Sequence, residues 1–218
     1  MDNRKIKLKG AIFDFDGTLF DSMHVWKGVK YAFFDEIGLV LTDEDKGIFD
    51  GLFLREAILT AKERFNMSET PEELFVLFFD FIKKRYLEDT CPKNDIIEFL
   101  DKLKAMGVKM GIATATGESA LIAVMEKFNM LHYFSPIYST YTVGASKKES
   151  KVYDVVLGEL GTEKETTWVF EDALYAAKTA KANGYKVVGI YDKSEPAQEE
   201  LKALVDVYIS NYSELELK

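Results

Sequence analysis

The chain's first chemically suggestive feature is a pair of acids on the end of an apolar run. Residues 11–15 are apolar apart from Asp14, and they lead into Asp16-Gly17-Thr18. In a continuing strand two such carboxylates would point to opposite faces, but Gly17 lets the chain bend so that both can reach one reacting atom. Other polar residues directly follow apolar runs: Thr114 after 108–113, and Glu171-Asp172 after 167–170. Lys147 opens a helical stretch after a weak strand at 136–138. In an open parallel sheet ligands bind beyond the carboxyl ends of the strands, so up to four carboxylates, one hydroxyl and one ammonium are expected around one point. Such a crowd of acids does not stay ionised unaided. A hard divalent cation with oxygen ligands resolves the repulsion, and Mg²⁺ suits carboxylates that also face a phosphate. Lys147 adds a point charge for the same anion. The alternative, a calcium or purely structural acidic site, lacks EF-hand spacing.

The elements that must position these groups follow from periodicity. Asp21 or Ser22 can cap a helix on which Val25, Val29, Phe33 and Ile37 recur at helical spacing, stopped by Gly38. A second helix is expected over 54–65. Thr70-Pro71-Glu72-Glu73 reads as a capping box with proline at the first helical position, and Leu74, Leu77, Phe78, Phe81 and Ile82 mark one apolar face. Beyond Cys91-Pro92 helices and strands alternate, which argues a parallel sheet; strands are expected over 108–113, 136–138, 167–170, 186–191 and 205–209. The first strand has no parallel partner until residue 108, so the helical block after it is an insertion. The fold class is α/β: a Rossmann-like parallel sheet with helices on both faces, built from residues 1–19 and 91–218, and an α-helical insertion over 20–90.

Composition bounds the rest. With 28 Lys and Arg against 37 Asp and Glu, the formal charge of −9 disfavours nucleic-acid or anionic-membrane binding, which need a basic surface. The single cysteine, Cys91, excludes an intramolecular disulfide and suits a reducing cytoplasm; a small semi-buried side chain is expected there. The apolar run after the basic start is broken by Asp14 and Asp16, too short for a signal peptide. No stretch is long and apolar enough to span a bilayer. His24 and His132 have no partner visible in sequence and read as surface or packing histidines.

Phe13-Asp14-Phe15-Asp16-Gly17-Thr18-Leu19-Phe20-Asp21-Ser22 resembles the first motif of the haloacid dehalogenase superfamily. Ile112-Ala113-Thr114 resembles the second, Lys147 within KKESKVYDVVLGELG the third, and Val169-Phe170-Glu171-Asp172 followed by AKTAKANG the fourth. The likeness covers residues 10 to about 192, and the insertion is similar to the α-helical cap of the subfamily of β-phosphoglucomutase and phosphoglycolate phosphatase. This resemblance implies a phosphatase using Asp14 as nucleophile, Asp16 as acid and base, and Thr114 and Lys147 as phosphoryl ligands. Mg²⁺ would be held by Asp14, the Asp16 carbonyl, Asp172 and Glu171, the last directly or through water.

The chain departs from the family pattern at several points. Lys148-Glu149-Ser150-Lys151 replaces the usual proline-rich stretch; counting six residues back from Tyr153 selects Lys147 and leaves Lys148 and Lys151 as a solvated basic face. Thr116 stands near where many relatives carry asparagine. Trp26 lies where the mutase carries a histidine, which argues against that activity. Arg55, within Gly51-Leu52-Phe53-Leu54-Arg55-Glu56-Ala57, stands where relatives meet substrate and could bind a second anion. Ser22, Trp26, Arg55 and Thr116 form the candidate substrate set. The implied partner is a small phosphorylated metabolite; the alternatives are a β-phosphoglucomutase-like phosphotransferase and a catalytically silent phosphate-binding regulator. A dehalogenase would have no use for Asp16 or a metal, and a phosphonatase needs a cap lysine that the sequence does not single out. Nothing in the sequence sets the oligomeric state.

Overall fold

The computed structural model describes residues 4–52 and 54–218; Phe53, within the motif at 51–57, lies outside the described residues. Six strands form one sheet: β1 (Gly10–Phe13), β2 (Lys109–Thr114), β3 (Ile137–Ser139), β4 (Thr167–Glu171), β5 (Lys186–Ile190) and β6 (Val207–Ile209). Their order is β3-β2-β1-β4-β5-β6, with every pairing parallel. The order reverses at β1, so the crevice for a ligand opens beyond the carboxyl ends of β1 and its neighbours.

The period-two alternation of a doubly covered strand is visible in the packing. Phe13, Ile112 and Phe170 face one side with Phe99, Leu121 and Tyr212, whereas Ile12, Ala113 and Val169 face the other with Val156, Ala177 and Leu201. Phe13 and Phe170 stack with ring centroids 4.4 Å apart; each fully buried phenylalanine of this kind contributes roughly 1.5–3 kcal/mol.

Between Met23 and Asp89 the regular elements among the described residues are all helices: α1 (Met23–Trp26), α2 (Val29–Glu36), α3 (Asp43–Asp50), α4 (Leu54–Arg64) and α5 (Pro71–Asp89). The single helix expected through Val25 and Ile37 is two, because Gly28 takes φ +67° between them. α3 was not expected; Thr42 and Asp45 close a capping box at its start. α5 begins as expected at the box of Thr70 and Glu73, but its buried stripe runs Leu74, Phe78, Ile82, Tyr86 and leaves Leu77 exposed. The strict i, i+4 spacing explains this, since Leu77 falls to the side of the row.

The insertion enters and leaves through a two-rung antiparallel ribbon of Phe20–Asp21 and Cys91–Pro92, continued by the Lys93 N–H donating to the Leu19 carbonyl at 2.9 Å. Lys93 then pairs with Asp192, just past β5, at 2.6 Å. Cys91 is exposed on this ribbon rather than semi-buried, because a two-residue edge offers nothing to cover it. His24 and His132 are both exposed, and a His24 ring nitrogen lies 2.9 Å from the Asp89 carbonyl. Among the described residues no helix is long and apolar enough to cross a membrane.

The remaining helices are α6 (Ile96–Ala105), α7 (Glu118–Lys127), α8 (Thr140–Val143), α9 (Lys151–Leu160), α10 (Leu174–Ala182) and α11 (Gln198–Leu204). β1 spans residues 10–13 rather than 11–15, and β6 begins at 207 rather than 205; both differences lie at strand ends, where pairing yields to turns.

Candidate active site

The ladder of β1 runs one residue past its end, with the Asp14 N–H donating to the Phe170 carbonyl at 3.0 Å. The chain then folds back: the N–H groups of Leu19 and Phe20 both donate to the Phe15 carbonyl, at 2.9 and 3.1 Å. Gly17 takes φ +75°, and a methyl group there would overlap the Asp172 carboxylate. Glycine is therefore needed twice over, for the turn and for the approach of Asp172.

Lys147 is buried and forms ion pairs with Asp14 and, at 2.9 Å, with Glu171. Lys148 and Lys151 are exposed. Tyr153 donates to the same Glu171 oxygen at 3.3 Å, and the Thr18 hydroxyl donates to Asp172 at 3.1 Å. Carboxylate oxygens of Asp14, Glu171 and Asp172 lie within 4.8 Å of one another, all three residues buried. Glu171 Oε1 is buried with no hydrogen-bond partner among the described residues.

One ammonium among three buried acids leaves the cluster short of positive charge. Burial, with the Glu171 charge adding to it, pushes Asp14 up to about 8 against the pull of Lys147. Burial, with the Glu171 and Asp14 charges adding to it, holds Asp172 well above the usual carboxylate range. Burial opposes the charge on Lys147, but Asp14 and Glu171 outweigh it and hold the ammonium well above its ordinary value. A divalent cation fits this deficit: the donors are hard oxygens, they converge, and one of them is orphaned.

Asp16 sits outside that cluster and is gripped by hydroxyls. Ser22 donates to Oδ1 at 2.6 Å, Tyr86 donates to the same oxygen, and Thr116 donates to Oδ2. Trp26 Nε1 in turn donates to the Tyr86 hydroxyl at 2.8 Å. Tyr86 was not anticipated. It lies 70 residues from Asp16 in the chain, and its only sequence signal is a tyrosine at the end of the α5 apolar stripe. Ser22 is fully buried against Asp16 instead of lining the cavity. Thr114 is also buried; its hydroxyl accepts the Thr116 N–H at 3.0 Å, which leaves its own O–H free to donate.

A cavity of about 460 Å³ opens over Asp14, Asp16, Lys147, Glu171 and Asp172. Trp26, Arg55 and Thr116 are among the residues lining it.

A family model described as haloacid dehalogenase-like hydrolase matches residues 11–190. The chain belongs to this family. Among the haloacid dehalogenase-like hydrolases it resembles, validoxylamine A 7′-phosphate phosphatase of Streptomyces hygroscopicus subsp. limoneus is 23% identical, the match covering 95% of each chain. Hexitol phosphatase B of Escherichia coli (strain K12) is 24% identical over 97% of this chain and 96% of the relative. The crystal structure of CbbY from Rhodobacter sphaeroides in complex with phosphate shares the fold, with a TM-score of 0.75 at 20% identity, covering 96% of this chain and 97% of that one. In this hydrolase the strand-end residues Asp14, Glu171 and Asp172 and the loop residue Lys147 meet in one buried cluster, with Asp16 beside them and held from the inserted helices by Tyr86.

Proposed function

We propose that this hydrolase is an Mg²⁺-dependent phosphatase of small organic phosphomonoesters that works through an aspartyl-phosphate. The observation that carries this reading is Asp14 itself, a carboxylate fixed at the strand end against Lys147 with two further acids converging beside it. Both curated relatives named above are phosphatases by name.

An Asp14 oxygen attacks phosphorus in line, and the bond from phosphorus to the leaving oxygen breaks. Asp16 gives its proton to the departing alkoxide, then takes one from the water that attacks phosphorus and releases Asp14. Lys147 and the Thr114 hydroxyl hold phosphoryl oxygens. Mg²⁺ would be held by Asp14, the Asp16 main-chain carbonyl, Asp172 and Glu171, and would screen the repulsion between nucleophile and phosphate. The insertion over 20–90 acts as a cap on the core of 1–19 and 91–218, excluding water when seated.

Tyr86 is the positioning residue for Asp16. Hydroxyls rotate between donating and accepting, so Tyr86, Ser22 and Thr116 serve both protonation states of the carboxyl while fixing its direction. Tyr86→Phe should slow hydrolysis of alkyl phosphates by about 10-fold or more, because their alkoxide needs a well-aimed proton. Acetyl phosphate, whose acetate leaves unprotonated, should lose much less. An equal loss on both substrates would remove Tyr86 from proton delivery to the leaving group and place its effect in the water-attack step that both share or in cap packing. The mutase reading has less support, since Trp26, where the mutase histidine would stand, is engaged with Tyr86.

Metal-dependent release of phosphate from p-nitrophenyl phosphate and acetyl phosphate tests the function, with Asp14→Asn as the blank. Release above that blank, dependent on Mg²⁺, is expected. No release from either substrate would sink the phosphatase reading.

A further inference from the structure

The floor of the cavity is charged, but its walls are not. The inserted helices contribute Met23, Trp26 and Leu54, and the sheet side contributes Tyr141 and Tyr175. Arg55 is the one charged wall residue among those described. A second cavity of about 400 Å³ shares Leu54, Arg55 and Tyr141 with the first and continues along Phe75, Phe78 and Phe79, with Glu72 as its acid. The two cavities adjoin at Leu54, Arg55 and Tyr141.

Two aromatic side chains are left open to solvent here: Tyr141 is 60% exposed and Tyr175 47%. Tyr141 is held in place. The Tyr141 ring meets Phe79 edge-on, with centroids 5.7 Å apart, and Phe79 is seated so closely on Gly117 that a methyl group there would lie 3.3 Å from its ring. The Arg55 guanidinium rests on Phe75 at 5.2 Å. Aromatic faces held in place beside a buried catalytic floor are a preformed stacking surface, which loses little entropy when a ring settles on it.

The chemistry missing from these walls is as informative. A polyol chain needs a donor or acceptor for each hydroxyl it buries, and an unmatched hydroxyl is costly. Among the described side chains of the first cavity beyond its catalytic floor there is no amide, carboxylate or imidazole; the polar groups are Arg55, two tyrosine hydroxyls, and the Thr116 hydroxyl and Trp26 N–H, which are already engaged with Asp16 and Tyr86. A flat ring system needs few partners and gains from every aromatic face. Building on the phosphatase reading above, we propose that the organic group of the natural substrate ends in a planar heteroaromatic ring, as in a flavin or nucleoside monophosphate, its few ribityl or ribose hydroxyls lying nearest the polar floor of Asp16 and Thr116 and only the ring reaching the apolar walls. The ring lies between the Trp26 and Leu54 wall and the Tyr141 and Tyr175 wall, with Arg55 donating to its ring acceptors.

Steady-state kinetics with flavin mononucleotide, adenosine 5′-monophosphate, sorbitol 6-phosphate and acetyl phosphate, each with Mg²⁺, test this. At least one aromatic ester should exceed sorbitol 6-phosphate in kcat/KM by about 10-fold or more. Tyr141→Ala and Tyr175→Ala should lower the ratio of kcat/KM for that ester to kcat/KM for acetyl phosphate by about 5- to 100-fold, the loss typical of a stacking side chain. Tyr141→Phe and Tyr175→Phe, which keep the ring, should restore the ratio, and this separates stacking from damage to the fold. Preference for sorbitol 6-phosphate, or a ratio that alanine does not change, would overturn the substrate class while leaving the phosphatase intact. Failure on acetyl phosphate as well would instead remove the phosphatase reading beneath it.

Discussion

Asp14→Asn leaves at most about a thousandth of the wild-type turnover and no acid-stable phosphoprotein, because an amide oxygen is a poor nucleophile and the first step has no substitute for it. The change is nearly isosteric, and Lys147 keeps its pair with Glu171, so the fold should persist. Stability should move the other way from activity. Asp14 is pushed up to about 8 in the folded protein, chiefly by burial and then by Glu171, so its ionised form works against folding near neutral pH. Removing that charge should hold or raise the thermal midpoint of the metal-free protein. Comparable turnover by the variant would remove Asp14 from the chemistry, and a collapsed midpoint would mean that its ion pair with Lys147 holds the fold together.

Excess chelator abolishes activity and Mg²⁺ restores it, whereas Ca²⁺, larger and preferring more ligands, inhibits. The carboxyls add a pH signature. Asp14 and Asp172 are both raised, by burial first and by their acidic neighbours second, and with Asp14 pushed up to about 8 the cluster binds a proton at neutral pH in the metal-free protein. A cation requires them ionised. Mg²⁺ affinity should therefore climb as pH rises toward about 8 and level off above it, and binding should release protons into a weakly buffered solution. Full activity in chelator, or an affinity flat across this range, would contradict a metal held by these acids.

The strand-end residues were legible because each carries a local signal: an apolar run, then a polar residue where the strand must stop. Asp14, Thr114, Glu171 and Asp172 were readable in this way, and the alternation of helices and strands carried the sheet with them; Lys147 lies eight residues past its strand and was selected among three lysines only by its spacing to Tyr153. Contacts across the chain left no such trace. The partnership of Tyr86 with Asp16 depends on how α5 lies over the sheet end, and no spacing encodes that. Gly28 dividing α1 from α2 is a similar case, since an isolated glycine inside a helical pattern is tolerated as often as it interrupts. Tyr141 and Tyr175 carry no signal of their own because an aromatic in a short helix reads as packing until its exposure is known.

The ribbon of Phe20–Asp21 and Cys91–Pro92 has an architectural consequence. Both chain crossings are already hydrogen-bonded side by side, about 5 Å apart, so the core sees the whole insertion as one long hairpin loop. Closing such a loop costs only about 0.6 kcal/mol more for each doubling of its length. The stretch between the two rungs is therefore expected to tolerate changes of length and composition, and with them of the Trp26, Leu54 and Arg55 wall, while Asp14, Lys147, Glu171 and Asp172 lie on chain outside it. On the proposed mechanism a hybrid carrying a foreign insertion on this ribbon should keep Asp14 and Lys147 in place while it changes what reaches them, provided the foreign piece also supplies hydroxyls for Asp16 where Ser22 and Tyr86 now stand.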